Sequence, residues 1–257
     1  MESVIRRWLG IGLLVLAATA ARADRMRELA EIHLVALGGP ERVAALKALK
    51  AEGRVVAGGR QMGFKLLAAR PDRIRVETVD GLRRTVQGYD GTAEPWEIDL
   101  SKPTPAAQPI PPASAKVFVA DAEFDDPLVA GESRRYTLDF AGETEVDGRK
   151  LFRVLVTQKL TSAFHLLVDA ESYLIVMRIE ERESAGGRKL QVMTRYDDYR
   201  PVDGVLLPHR LTTVIDGKAT QQLRIDRITG NPELPEGSFT RPPPPTTPAP
   251  ESTPAKP

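Results

Sequence analysis

The residues able to do chemistry are few and scattered. His33, His165 and His209 are the three histidines, and no cysteine accompanies them. Acyl transfer needs a nucleophile, a base and an orienting group, and no Gly-x-Ser-x-Gly elbow supplies the first. His33 sits beside the apolar stripe of a helix and reads as a partly buried structural histidine. His165 alternates with Phe164 and Leu166 on a strand and points away from them. These contexts do not converge on zinc-ligand spacing, so no metal is expected. Asp197 and Asp198 are adjacent on a strand and face opposite ways, which makes them poor acid/base partners. The acidic run Asp121, Glu123, Asp125 and Asp126 lacks the glycine and the distal glutamate of a calcium loop, and reads as a solvated acidic turn. No glycine-rich loop follows a strand and opens a helix to hold a phosphate. The residues therefore point away from an enzyme and from a cofactor. A hydrolase using His209 or His165 is the weakest of three readings.

The elements that position these residues begin after a leader. In MESVIRRWLGIGLLVLAATAARAD, Arg6 and Arg7 precede a short apolar run, and Ala21 and Ala23 form a small-x-small cleavage signature. Cleavage is expected after Ala23, giving an exported, periplasmic protein. The leader takes three of the 36 basic and one of the 35 acidic residues, so the mature chain is nearly neutral. That balance offers no basic surface for nucleic acid. The lack of cysteine excludes disulfides, thiolate metal sites and an acylated N-terminal cysteine. The length suits one sizeable domain over residues 24–240.

From Asp24 to Leu37, Met26, Leu29, Ile32, His33, Ala36 and Leu37 recur at helical spacing, and Gly38-Gly39 stops the helix. Pro40 suits the first turn of a second helix, expected over Glu41 to Leu49. From Ala51 the period changes to two. Four strand candidates follow, then the segment containing Trp96, an irregular proline-rich connection from Lys102 to Pro112, and a helix from Ala113 to Phe124. After Tyr136, seven strands run almost without interruption. Their separators include Asp147-Gly148, Thr161-Ser162, Gly186-Gly187, Asp203-Gly204 and Asp216-Gly217, which have hairpin chemistry. Such a series requires a large antiparallel sheet, which would either split into a sandwich or curl toward a barrel. Arg241 to Pro257 is proline-rich with almost no apolar bulk, and reads as an extended, disordered spacer.

The pattern supports binding of an apolar ligand. A curled sheet presents one concave face. Met62, Phe64, Leu66, Ile74 and Val76 would line its first half, and Phe164, Leu166, Val168, Leu174, Val176, Leu190 and Val192 its second. Trp96 and Phe118 complete the expected lining. If helices cover this concavity incompletely, an apolar cavity suited to an acyl chain remains. The same residues could instead form a filled core.

Several stretches, in order, carry a resemblance. The first is the N-terminal helix ending in Gly-Gly, followed by RPDRIRVE (Arg70–Glu77), YDGTAEPWEI (Tyr89–Ile98) and DPL (Asp126–Leu128). They continue with VDGRKLFRVLVT (Val146–Thr157), DAESYLIVMR (Asp169–Arg178), YDDYRPVDGVLLPHRL (Tyr196–Leu211) and NPELPEGSFTRP (Asn231–Pro242). Together they resemble the bacterial outer-membrane lipoprotein-sorting family, the LolA/LolB-like proteins. The resemblance implies a mainly β (α+β) fold. Its core is an unclosed antiparallel β-barrel of about eleven strands, with the N-terminal helix pair and the central helix as lid. It also implies a non-catalytic, monomeric periplasmic carrier that shelters lipid or lipoprotein acyl chains, with envelope transport proteins as candidate partners. Carriers of this family hold the lid with an arginine, for which Arg73 and Arg75 are the candidates here. The alternative is a structural or regulatory interaction module that senses envelope lipids or lipoproteins without transport.

Overall fold

A computed structural model describes residues 22–131, 136–158, 163–184 and 187–244. Residues 1–21 of the expected leader, most of the expected tail, the Thr161-Ser162 turn and Gly186 lie outside the described residues. Helix α1 covers residues 22–36, followed by α2 (Pro40–Ala45), α3 (Pro112–Asp121) and α4 (Pro127–Ala130). The strands before α3 are β1 (Ala48–Ala57), β2 (Arg60–Ala69), β3 (Arg73–Asp80), β4 (Arg83–Tyr89), β5 (Trp96–Asp99) and β6 (Gln108–Pro109). Those after α4 are β7 (Tyr136–Val146), β8 (Arg149–Gln158), β9 (Phe164–Asp169), β10 (Ile175–Glu183), β11 (Lys189–Val202), β12 (Val205–Ile215) and β13 (Lys218–Gly230).

The hairpins follow from local chemistry. At Asp147-Gly148, Asp203-Gly204 and Asp216-Gly217 both turn residues have positive φ (52° and 77°, 49° and 81°, 48° and 79°). That is the two-residue turn whose twist matches the flanking strands, and Asp-Gly adopts it at low cost. Three boundaries depart from expectation. The second helix stops at Ala45 and β1 starts at Ala48, because Asn231 intervenes from the far end of the chain. Its Oδ1 accepts from the Lys47 amide at 2.7 Å, and its Nδ2 donates to the Ala45 carbonyl at 3.2 Å. The proline-rich connection contains a two-residue strand, β6, so the sheet reaches thirteen strands rather than about eleven among the described residues. Of the acidic run, Asp121 is exposed at the end of α3, whereas Asp125 and Asp126 are bonded and do not form a solvated turn. Asp126 caps α4, accepting from the Leu128 and Val129 amides at 2.8 and 3.1 Å.

The architecture is mainly β, one unclosed antiparallel sheet with helices on one face. Its order is β6-β5-β4-β3-β2-β1-β13-β12-β11-β10-β9-β8-β7. The first six strands step outward from β1, and the last seven step outward the other way. The non-local pairing of β1 with β13 joins the two halves. Consequently β6 and β7 lie at opposite edges, and the α3–α4 segment must connect them across the sheet.

That segment shows that the sheet curls. Phe118 and Val119 of α3 pack with Ile74 and Tyr89 of β3 and β4. A few residues on, Asp126 reaches His33 of α1, whose ring also contacts the Tyr173 carbonyl beside β10. In a flat sheet β3 and β10 would be six strand spacings apart, about 29 Å. Eight residues starting with one helical turn bring their faces together only if the sheet wraps around them. The helix-bearing face is therefore the inner one.

Candidate functional site

The inner face is built by strand register, since cross-strand partners share a face. Leu66 faces Val76, Ala68 faces Ile74, and Met62 faces Val55. Phe64 stands on the same face, opposite Thr78. In the other half Phe164, Leu166 and Val168 face Val156, Val154 and Phe152. These six form a buried cluster with Met26 and Leu29 of α1 and Leu128 of α4. The two ends are thus covered, by α3 on one side and by α1 with α4 on the other. The middle is not. Val55, Leu211, Leu223 and Ile225, in the central strands and on this face by register, are only half-buried.

The helix against the β2–β4 end of this face is α3, PASAKVFVAD. It carries apolar residues around most of its circumference, yet none of its residues is buried, and Val117 is 39% exposed. A helix apolar on all sides normally lies inside a core. Here only Phe118 and Val119 pack on the sheet, against Ile74 and Tyr89, and both remain half-buried.

A polar latch ties the lid segment to the wall. His33 is buried at 1% exposure, with Nδ1 2.7 Å from the Tyr173 carbonyl and Nε2 3.2 Å from Asp126 Oδ2. Both ring nitrogens face acceptors, an arrangement that only the imidazolium satisfies fully. Burial works against its charge, but the Asp126 charge and hydrogen bond and the Tyr173 carbonyl outweigh it, holding His33 above its ordinary value. Burial likewise disfavours the Asp126 carboxylate, and His33 with the two α4 amides still pulls it below the usual range. Next to it, Arg70 Nη2 donates to Asp125 at 2.5 Å, and its guanidinium lies 5.2 Å from the Phe124 ring centre. Four groups thus hold the start of α4 against α1 and the β2–β3 turn.

Charge also enters the inner face along β10. Arg178 faces Leu166 and Thr194, Glu180 faces Phe164 and Val192, and Arg182 faces Leu190. The Arg178 guanidinium stacks 4.0 Å from the Phe164 ring centre. Asp121, at the end of α3, is open to solvent at its own surface yet ringed by protein. Desolvation raises its carboxyl, against the pull of Arg178 and Arg182 and with the push of Glu180. Tyr196 lies in the same field, its hydroxyl pushed up to about 12 mainly by burial.

The remaining expected positions separate. Leu190 and Val192 lie on the inner face by register. Leu174 packs with Leu37, Val43 and Leu46 at the α1–α2 junction. Val176 does not line the interior. The pairing steps from Ile175 to Met177 there, and Val176 joins Leu151, Leu167 and Met177 in a cluster on the outer face. Trp96 is also on the outer face. It covers Gly88, where an added Cβ would come within 2.4 Å of the indole, and its Nε1 donates to the Phe239 carbonyl at 3.0 Å. Arg73 and Arg75 share that outer face, opposite Ala69 and Leu67 of β2, and Arg73 lies 5.4 Å from the Phe239 ring centre. The arginine that bonds the lid segment is Arg70, and the one on the inner face is Arg178. Alternation already separated Arg73 and Arg75 from Ile74 and Val76, so their outward placement was legible. Arg178, Glu180 and Arg182 share the parity of Val176, but charges in a strand are ordinarily read as outward-facing.

The three histidines stay apart. His165 is on the outer face opposite Leu155 and Ile179, its pKa lowered by burial and by the Arg153 charge. His209 is buried on β12 with Nδ1 3.0 Å from the Leu207 carbonyl. Among the described residues no group of three or more His, Cys, Asp or Glu is placed to hold a metal ion. Nor is any described helix long and apolar enough to cross a membrane.

No family model matches the sequence, and no curated protein matches it. Solved structures do match in fold. A domain assigned to the outer membrane lipoprotein-sorting proteins from Vibrio parahaemolyticus is 12% identical, with a TM-score of 0.56 over 85% of this chain and 97% of that one. A LolA superfamily protein from Nitrosomonas europaea is 15% identical, with a TM-score of 0.53 over 86% and 98%. A DUF1329 family protein from Desulfovibrio piger is 13% identical, with a TM-score of 0.57 over 84% and 96%. The chain has the fold of the LolA-like lipoprotein-sorting proteins.

Proposed function

We propose that this protein is a non-catalytic, periplasmic binder of lipid or lipoprotein acyl chains, held between α3 and the inner face of the sheet. One observation carries the reading: α3, mostly apolar, lies against the half-buried Leu66 and Val76 of the inner face with none of its own residues buried. An acyl chain entering there removes apolar surface from water on both sides at once. The lipoprotein-sorting description of a structural neighbour supports an acyl-chain cargo, and the leader-like N-terminus supports export. The protein acts as a monomer, its curled sheet supplying the wall and its helices the lid from one chain.

Native mass spectrometry of the mature protein, purified without detergent from cells exporting it, tests this. The expected spectrum shows a fraction of the protein carrying lipid-sized adducts released by organic solvent. Adduct-free protein that also fails to take up a fluorescent fatty acid overturns the reading.

A further inference from the structure

The column Arg178, Glu180, Arg182 is the unusual feature of the inner face. These three residues point, by register, to the side occupied by Phe164, Leu166 and Val192. Their bonding is asymmetric. The Arg178 guanidinium donates from Nη2 to Glu180 Oε2 at 2.8 Å, and Arg182 donates from Nε to Glu180 Oε1 at 2.6 Å. Two guanidinia thus share one buried carboxylate, which leaves one positive charge in excess. The Arg178 Nε is buried and has no hydrogen-bond partner, while its ring contact with Phe164 fixes the plane of the fork. Arg182 is 45% exposed, so the column runs from the apolar interior out to water.

The group that faces this excess charge belongs to the lid. Asp121 ends α3 within electrostatic reach of Arg178, Arg182 and Glu180, and it forms no ion pair with either arginine. A carboxylate on the lid therefore balances the column loosely and at long range. Planar guanidinium forks bind carboxylate and phosphate oxygens in just this kind of partly dry setting.

We infer that Arg178 and Arg182 form a seat for the anionic head of an amphiphile, a carboxylate or phosphate ester, whose acyl chain runs along the inner face under α3. The head takes the place that Asp121 loosely fills in the closed protein. Phe164 backs the Arg178 fork, and Glu180 holds both arginines in position and does not itself touch the ligand. The cargo is thereby an acidic single-chain or anionic lipid, in preference to a neutral one of equal chain length. This inference rests on the acyl-chain reading above and narrows it to one class of head group.

The experiment compares four probes by calorimetric titration of the mature protein: palmitate, palmitoyl lysophosphatidate, neutral monopalmitin and inorganic phosphate. Palmitate or lysophosphatidate is expected to bind at least tenfold tighter than monopalmitin, and which of the two does so distinguishes a carboxylate from a phosphate head. Arg182→Gln, at a half-exposed position, is expected to reduce that ratio several-fold. The triple change Arg178→Gln, Glu180→Gln and Arg182→Gln removes all three charges together, so none is left orphaned, and is expected to abolish the preference while monopalmitin still binds. Equal binding of charged and neutral lipids, or a preference that survives both variants, overturns the anionic seat and leaves the acyl-chain reading standing. Failure of all three lipids to bind overturns both. Inorganic phosphate binding as tightly as lysophosphatidate overturns the amphiphile and leaves a free-anion site.

Discussion

The His33–Asp126 pair joins three segments that are distant in sequence: α1, the cap of α4 and the turn before β10. A charge pair whose cation is buried, as His33 is while Asp126 is half-buried, gains little over apolar packing but costs much when one partner is removed. His33→Gln is expected to destabilise the protein by about 3 kcal/mol near neutral pH for that reason. The pH dependence follows from the two shifts. His33 titrates above its ordinary value of 6.5, so its contribution is fully present below that value and is lost as pH rises through the folded value. Asp126 titrates below the usual 3.8, so its contribution is present above 3.8 and is lost only as pH falls through its lower folded value. Thermal melts across pH should therefore show wild-type stability falling as pH rises above 6.5 and His33 deprotonates, with that fall absent from His33→Gln. Parallel profiles for the two proteins would show that the pair carries no such linkage. The histidine was legible as structural from its place on a helical stripe. Its partner was not, because a run of four acidic residues looks solvated until an α4 cap and a buried ring close over one of them.

Among the elements, the C-terminal segment does more than trail from the barrel. After β13 it crosses the outer face, where Phe239 is buried with Ala48 and Ala69 and its carbonyl accepts the Trp96 indole N–H. Arg241 then donates to the Ala107 carbonyl at 2.6 Å beside the short edge strand β6. The segment covers small residues, Gly88 and Ala69, that leave room for the two large rings. Phe239→Ala is expected to cost about 3 kcal/mol. Because Trp96 and Trp8 are the two tryptophans, emission of a protein beginning at Asp24 reports on this contact alone. A red shift under native conditions is the expected reading; an unmoved spectrum with full stability would show that the segment is not packed there in solution. Trp96 is expected in the inner lining from the sequence, because alternation does not say which of the two faces lies inside, and register places it outside instead.

The whole molecule behaves as a curled sheet whose middle is less well filled than its ends. The ends have dense clusters under α1, α4 and the tip of α3, whereas the central strands present half-buried apolar residues. A chain lying against those residues would take their exposed apolar surface out of water, so binding should raise the melting point. At a free ligand concentration one hundred times its dissociation constant, mass action stabilises the folded state by about 2.7 kcal/mol. A melting point indifferent to saturating palmitate, under conditions where calorimetry detects binding, would place the chain on the outer surface instead.

Much of this protein is determined locally. Period-two alternation defines the strands, and Asp-Gly pairs with positive φ define three of the hairpins and hence their registers. Both depend on residues a few positions apart, which is why they can be read in order along the chain. The resemblance motifs then suggested the curl. What only the tertiary structure decides is long-range. Strand β1 pairs with β13 across the whole chain, and Asn231 ends α2 from nearly two hundred residues away. A register break at Val176 turns that residue outward, and the charged column of β10 faces inward. Alternation assigns residues to two faces but does not label them. The label comes from which face the α3–α4 connection crosses, and that follows from placing β6 and β7 at opposite edges of one sheet.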